Sequence, residues 1–325
     1  MKLPRRRLLR MAVCAVALPA VSRVAMAQTY PARPVRVIVG FPPAGGSDIV
    51  ARLMGQSLAE GFGQPFVIEN RPGANSNMGA EAVVRAAPDG YTLLLVGITN
   101  AINATSYDKL NFKFIRDITP VAAIDGVPNI MLVHPSFPAK TLPEFIRYAE
   151  ASPGKINFAS EGTGGIGQLL GELFKMTAGI NMVHVPYRGV ALALTDLMGA
   201  QVQVMFASMP SAIPHVRAGK LRALAVTSAA RSEALPEVPT VGEFLPGFEA
   251  ITWHGIGAPK GTSAAITSQL NNEINAALTS PVMKGRLADL GGTPLVLSPS
   301  EFGMFIAAET EKWGKVIRAA NIKLE

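Results

Sequence analysis

Two loops carry the residue types best suited to hold an anion. Phe41-Pro42-Pro43-Ala44-Gly45-Gly46-Ser47-Asp48 and Ser160-Glu161-Gly162-Thr163-Gly164-Gly165 each follow an apolar, strand-like run and lead into a helical pattern. A loop of that kind delivers backbone N–H groups to the positive end of a helix, where a carboxylate or phosphate is stabilised. A third segment, Ile98-Thr99-Asn100, follows another strand-like run and adds two small polar side chains. Glycines in one such loop alone mark no more than a tight turn, and the polar residues no more than helix caps. Two such loops in different halves of the chain favour binding.

Other chemistries find less support. Gly162-x-Gly164-x-x-Gly167 has the spacing of a dinucleotide fingerprint, but that motif also wants an acid at the end of the next strand to hold the ribose. That strand ends Val185-Pro186-Tyr187-Arg188, without an acid. There is no Gly-x-Ser-x-Gly elbow, and the single cysteine, Cys14, falls in the leader discussed below. His134, His184, His215 and His254 are far apart, without metal-ligand spacing, and read as packing or capping residues. Trp253 could line a cleft; Trp313 reads as core. No catalytic constellation, metal or cofactor is expected, and this favours a binding protein over an enzyme.

The charge of the chain points to its leader. Of 30 Lys and Arg residues, six lie in the first 27 positions with no acid among them, leaving 24 against 23 Asp and Glu. The overall charge of +7 is therefore no sign of nucleic acid. Lys2 to Arg10 is basic, Met11 to Val21 is apolar and uncharged, and Ala25-Met26-Ala27 offers small residues before a cut. An apolar run this short cannot span a bilayer, which takes about 20 helical residues. The expectation is a cleaved export signal over residues 1–27, by the general secretory or, given Arg5-Arg6-Arg7, the twin-arginine route. Export would place the protein in the periplasm, starting near Gln28 and without cysteine.

The elements that must position the two loops alternate along the chain. Strands are expected near Val35 to Val39, Phe66 to Glu69, Thr92 to Val96, Ile130 to His134, Ile156 to Ala159, Met182 to Val185, Val202 to Phe206, Leu221 to Thr227 and Ile251 to Ala258. Helical patterns occupy the gaps, notably Ser47 to Glu60, Gly79 to Ala86, Leu142 to Glu150, Ile166 to Thr177, Ala191 to Met198 and Ser211 to Ala218, and the last 65 residues or so are mainly helical. This alternation predicts an α/β fold with largely parallel sheets flanked by helices. Ligands of such sheets bind beyond the carboxyl ends of the strands, which is where the loops fall.

Longer stretches make the chain familiar. Tyr30-Pro31-x-Arg33-Pro34-Val35-Arg36, the run from Phe41 to Leu95, His184-Val185-Pro186-Tyr187-Arg188-Gly189, Pro210 to Thr240 and Trp253-His254-Gly255 resemble the Bug family of periplasmic solute receptors. These are the substrate-binding subunits of tripartite tricarboxylate transporters. The resemblance implies a two-lobed periplasmic binding protein, with one lobe formed by residues 28–128 plus 252–325, the other by 129–251, and a ligand cleft between them. It implies a small carboxylate as ligand, held by Pro43, Ala44, Gly45, Gly46, Ser47 and Asp48 in the first loop and by Ser160, Gly162, Thr163, Gly164 and Gly165 in the second. Thr99, Asn100 and Tyr187 are further candidates for ligand binding. A membrane permease or a sensor protein would be the partner of a monomeric receptor. An exported Rossmann-type oxidoreductase using a nicotinamide cofactor is the alternative. The chain departs from the family's pattern at Glu161, Ala207, Gln203, Asn75 and Ser76. Glu161 could restore a contact to the ligand or point to solvent.

Overall fold

Capping chemistry sets several element boundaries. The computed structural model describes residues 30–43, 45–107 and 109–322, so the expected export signal and Ala44 lie outside the described residues. Ser298 opens the last helix with a reciprocal pair: its Oγ accepts the Glu301 N–H at 3.3 Å, and Glu301 Oε2 accepts the Ser298 N–H at 2.8 Å, with Pro299 at the first helical position. Gly63 and Gly179 end two other helices at φ +66° and +69°, the left-handed conformation that glycine adopts without strain.

The elements run β1 (Val35–Val39), α1 (Gly46–Phe62), β2 (Phe66–Asn70), α2 (Asn77–Val84), β3 (Thr92–Gly97), α3 (Ile98–Ser106), α4 (Phe114–Asp117) and β4 (Ile118–Val133). Then follow α5 (Leu142–Glu150), β5 (Asn157–Ser160), α6 (Ile166–Ala178), β6 (Val183–Pro186), α7 (Val190–Met198), β7 (Val204–Ser208), α8 (Met209–Arg217) and β8 (Arg222–Val226). The chain closes with β9 (Ile251–Pro259), α9 (Ala264–Thr279), α10 (Pro281–Asp289), β10 (Thr293–Pro294) and α11 (Pro299–Ala319).

The strand order is β2-β1-β3-β9-β4-β7-β5-β6, with β8 and β10 also pairing to β4. Pairs β1–β2, β1–β3, β5–β6 and β5–β7 are parallel. Pairs β3–β9, β4–β9, β4–β7, β4–β8 and β4–β10 are antiparallel. The expectation of largely parallel sheets therefore holds for the outer strands, and the sheet as a whole is mixed. Every antiparallel pair involves β4 or β9, the two strands that cross the middle of the molecule in extended form.

β4 was the least legible element. The sequence suggests a strand only from Ile130, because Pro120 and Pro128 interrupt the run and proline cannot donate to a ladder. The structure absorbs both. Pro120 sits at an irregularity in the β4–β9 register, and Pro128 pairs with Ile251 at the start of β9, just before β4 changes partners. From Ile118 to Pro128 the strand pairs with β9; from Asn129 to Val133 it pairs with β7. α11, whose Phe302, Ile306, Trp313, Val316 and Ile317 are buried, packs against β4 and α3.

This register decides where the loops go. Gly97, the last residue of β3, is level with His254, and His254 with Asp125. Ser208, the last residue of β7, is level with Asn129. β3 and β7 thus run in opposite directions and end at levels of β4 offset by about 13 Å along the strand, at ~3.3 Å per extended residue. The carboxyl ends of β1 and β3, and those of β5 and β7, open on the same central band.

Candidate functional site

The first loop delivers its candidates to the start of α1. Gly45 is the N-cap, extended at φ −80° and ψ 166°, and makes no side-chain cap. Gly46, Ser47 and Asp48 form the first turn. Asp48 turns inward: Arg52 binds its two carboxylate oxygens at 2.9 Å each, and Asn70 Nδ2 adds a third bond at 2.9 Å. That network holds Asp48 as a structural anchor between α1 and β2. Pro43 is exposed in the turn before it.

Ser47 faces the other way, into a chain of polar contacts. Its Oγ lies 3.1 Å from His254 Nε2, and His254 Nδ1 lies 2.8 Å from Asp125 Oδ1. Asp125 is fully buried and His254 nearly so. A carboxylate oxygen can only accept here, so Nδ1 carries the proton, and in the neutral ring Nε2 accepts the Ser47 hydroxyl. The connectivity is that of a serine–histidine–aspartate triad. Asp125 Oδ2 has no hydrogen-bond partner among the described residues. Ser47, His254, Phe41, Gly97, Thr99 and Thr252 line a cavity of about 50 Å³, room for a few waters or a carboxylate.

Ile98-Thr99-Asn100 is not the loop expected from the sequence but the first turn of α3. Asn100 Oδ1 accepts the Gly97 N–H at 3.0 Å and fixes the strand-to-helix turn, so this side chain is buried in a capping role. The run Ile-Thr-Asn-Ala-Ile-Asn-Ala-Thr-Ser has modest helix propensity, and packing of Ala101 and Ile102 overrides it.

The second loop is largely satisfied by its own chain. Ser160 Oγ accepts the Gly162 N–H at 3.2 Å and lies 2.6 Å from His184 Nε2. Gly164 N–H donates to Gln168 Oε1 at 2.7 Å, and Gly165 N–H to the Gly162 carbonyl at 3.3 Å. Gly162 and Gly164 hold φ of +150° and +75°. Burial, then the Lys175 charge, brings the His184 pKa down to about 4, so the ring stays neutral beside Ser160. Thr163 is exposed. Tyr187 donates its hydroxyl to Asp196 at 2.6 Å, and burial followed by that acid pushes its pKa up to about 12. All three glycines of the dinucleotide spacing have their N–H groups engaged internally, Gly167 with Glu161 Oε1 at 3.0 Å. The three N–H groups that this motif would turn to a pyrophosphate are thus already taken, which argues against the nicotinamide alternative.

Trp253 borders the small cavity beside Ser47 but is fully buried, and its indole shares Glu309 Oε2 with that of Trp313, at 3.2 and 3.0 Å. Gln203 Oε1 accepts the Asn157 N–H at 2.9 Å, stitching β5 to the residue preceding β7. Ala207 is buried on β7. Asn75 is tied to Asn103 at 3.0 Å, within a run of three positive-φ residues from Ala74 to Ser76. A larger hollow of about 450 Å³, lined by residues including Ala104, Leu110, Phe112, Ile115 and Thr310, holds none of the candidate residues. Sequence reading missed Asp125 and set His254 and His184 aside as packing or capping residues. A lone acid in the apolar run from Val121 to Val133 was the one available signal for Asp125.

Comparison with known proteins settles the family. The model for the tripartite tricarboxylate transporter family receptor matches residues 50–322. The chain belongs to this family. BugT of Bordetella pertussis is 37% identical over 322 residues, covering 98% of this chain and 99% of its own. Among solved structures, R. palustris Rpa4515 with adipate aligns at a TM-score of 0.78 and 35% identity, over 90% of this chain and 99% of its own. MatC from Rhodopseudomonas palustris with bound malate aligns at 0.74 and 33%, over 89% and 100%. The receptor thus has the two-lobed α/β periplasmic-binding-protein fold, and its family binds solutes for transporters instead of transforming them. No helix among the described residues is long and apolar enough to cross a membrane.

Proposed function

We propose that this chain is a periplasmic receptor that closes two lobes around a small organic carboxylate and presents it, as a monomer, to a tripartite-type permease or to a sensor. The observation that carries the reading is the meeting of two sets of strand carboxyl ends on the middle of β4, each followed by a glycine-rich helix start. The relatives that hold adipate and malate support the carboxylate class. The change of β4 partners at Pro128 and Asn129, and the start of β9 at Ile251, support a division into residues 28–128 plus 252–325 and residues 129–251. Ligand contacts made to both lobes would favour the closed form. The export signal, with cleavage near Ala27, remains part of this reading.

A thermal-shift screen over mono- and dicarboxylates tests it. A ligand at 100 times its Kd stabilises by about 2.7 kcal/mol, and absence of any such shift across the screen overturns the carboxylate assignment. The Ser47–His254–Asp125 chain supports a second reading, acyl transfer at Ser47. Incubation with a fluorophosphonate separates the two: a phosphonylated Ser47 with ester turnover would favour the hydrolase, and an unchanged intact mass the receptor.

A further inference from the structure

The start of α6 already holds a carboxylate. Glu161 precedes the helix, and its side chain folds back over the first turn, where Oε1 accepts the Gly167 N–H at 3.0 Å. The N–H groups of Ile166 and of Glu161 itself also act on the carboxylate. Glycines make the room: a Cβ on Gly165 would stand 2.5 Å from Oε1, and one on Gly167 would overlap Oε2. Although Glu161 keeps part of its surface exposed, its carboxyl end is enclosed, and desolvation raises its pKa. No lysine or arginine is among the groups that act on it. The neighbouring Gly162 and Gly164 N–H groups are taken by Ser160 and Gln168. The start of α1 is built differently, because its acid, Asp48, is turned to Arg52 and Asn70.

We infer that Glu161 is a specificity-determining residue: it fills the anion position of the second lobe with the chain's own carboxylate, so the cleft takes a ligand with one carboxylate, seated at the α1 end, and an uncharged far end. This inference rests on the carboxylate-receptor reading. A dicarboxylate would find the Ile166 and Gly167 N–H groups already taken by the Glu161 carboxyl, so its second charge would be desolvated without donors to receive it. Glu161 therefore does not point to solvent, one of the two roles the sequence left open.

Matched pairs of probes test the inference: butyrate and succinate, hexanoate and adipate, benzoate and terephthalate. Each is titrated calorimetrically into the mature protein and into Glu161→Ala, Glu161→Gly and Glu161→Gln, with circular dichroism melts to check folding. The wild type should bind the monocarboxylate of its preferred pair at least 10-fold more tightly than the dicarboxylate. Glu161→Ala should move that ratio at least 10-fold towards the dicarboxylate. Glu161→Gln keeps an acceptor on the same N–H groups and should leave the ratio within about threefold of the wild type; Glu161→Gly empties the position and serves if the alanine variant does not fold. A wild type that prefers the dicarboxylate, or a ratio unmoved in folded Glu161→Ala or Glu161→Gly, overturns the inference and leaves the receptor reading intact. No binding of any pair overturns the receptor's carboxylate assignment and this inference with it.

Discussion

His254→Phe removes the one hydrogen-bond partner that the described residues give Asp125. That carboxylate is fully buried, receives His254 Nδ1 at 2.8 Å on one oxygen and has no partner on the other. Breaking one side of such a buried pair costs about 3–5 kcal/mol, because the remaining charge stays desolvated. At roughly 2–4 °C per kcal/mol for a domain of this size class, the melting temperature should fall by about 6–20 °C. Asp125→Asn in the His254→Phe background removes the stranded charge and should recover at least ~1 kcal/mol. Urea unfolding followed by far-ultraviolet circular dichroism gives both values. If the single and double variants agree within about 0.5 kcal/mol, Asp125 does not depend on the imidazole, and the account of a buried acid held by His254 fails.

Three further outcomes follow from the same geometry. His184 stays neutral in the fold down to about pH 4, whereas a histidine in the unfolded chain takes up a proton near 6.5. Its contribution is therefore complete above about pH 6.5 and lost as pH falls to about 4, worth ~1–2 kcal/mol after allowance for partial exposure; His184→Gln should flatten that part of the stability profile in urea titrations. Glu309→Leu strands the indole N–H groups of both Trp253 and Trp313 and should cost about 2–5 kcal/mol, while Glu309→Gln keeps an acceptor and should cost under ~1.5, both read from urea midpoints. Gly255→Ala would set a Cβ 2.6 Å from the Ala122 carbonyl and against the Phe302 ring; a thermal melt should show a loss of about 1–3 kcal/mol.

The sequence revealed what depends on short-range pattern. Val35–Val39 and Leu142–Glu150 fall at the expected bounds, because the short β-branched run in the first and the Thr141 cap in the second are local signals. Both anion loops were visible for the same reason: glycines next to strand ends have a meaning that needs no tertiary contact. Register was invisible. Asp125 and His254 are far apart in the chain and meet only because β4 and β9 pair, and Pro120 and Pro128 concealed the strand that brings them together. Glu161 shows another limit. Its place in the loop was plain, yet only the folded chain shows the side chain curling back onto α6 instead of facing water.

The pairing of β9 between β3 and β4 has a consequence for how the molecule is made. Leu94 to Gly97 and Ile118 to Pro128 acquire their shared neighbour only when residues 251 to 259 arrive, after the whole of β5 to β8 has been synthesised. Closing a loop of that length is entropically slow relative to local contacts. Until then the nascent chain keeps an open strand edge on β3 and cannot complete this half of the sheet. A polypeptide of this design stays unfinished during synthesis, and thus threadable through a narrow translocation channel, for longer than one in which each half of the sheet is encoded by a single uninterrupted segment.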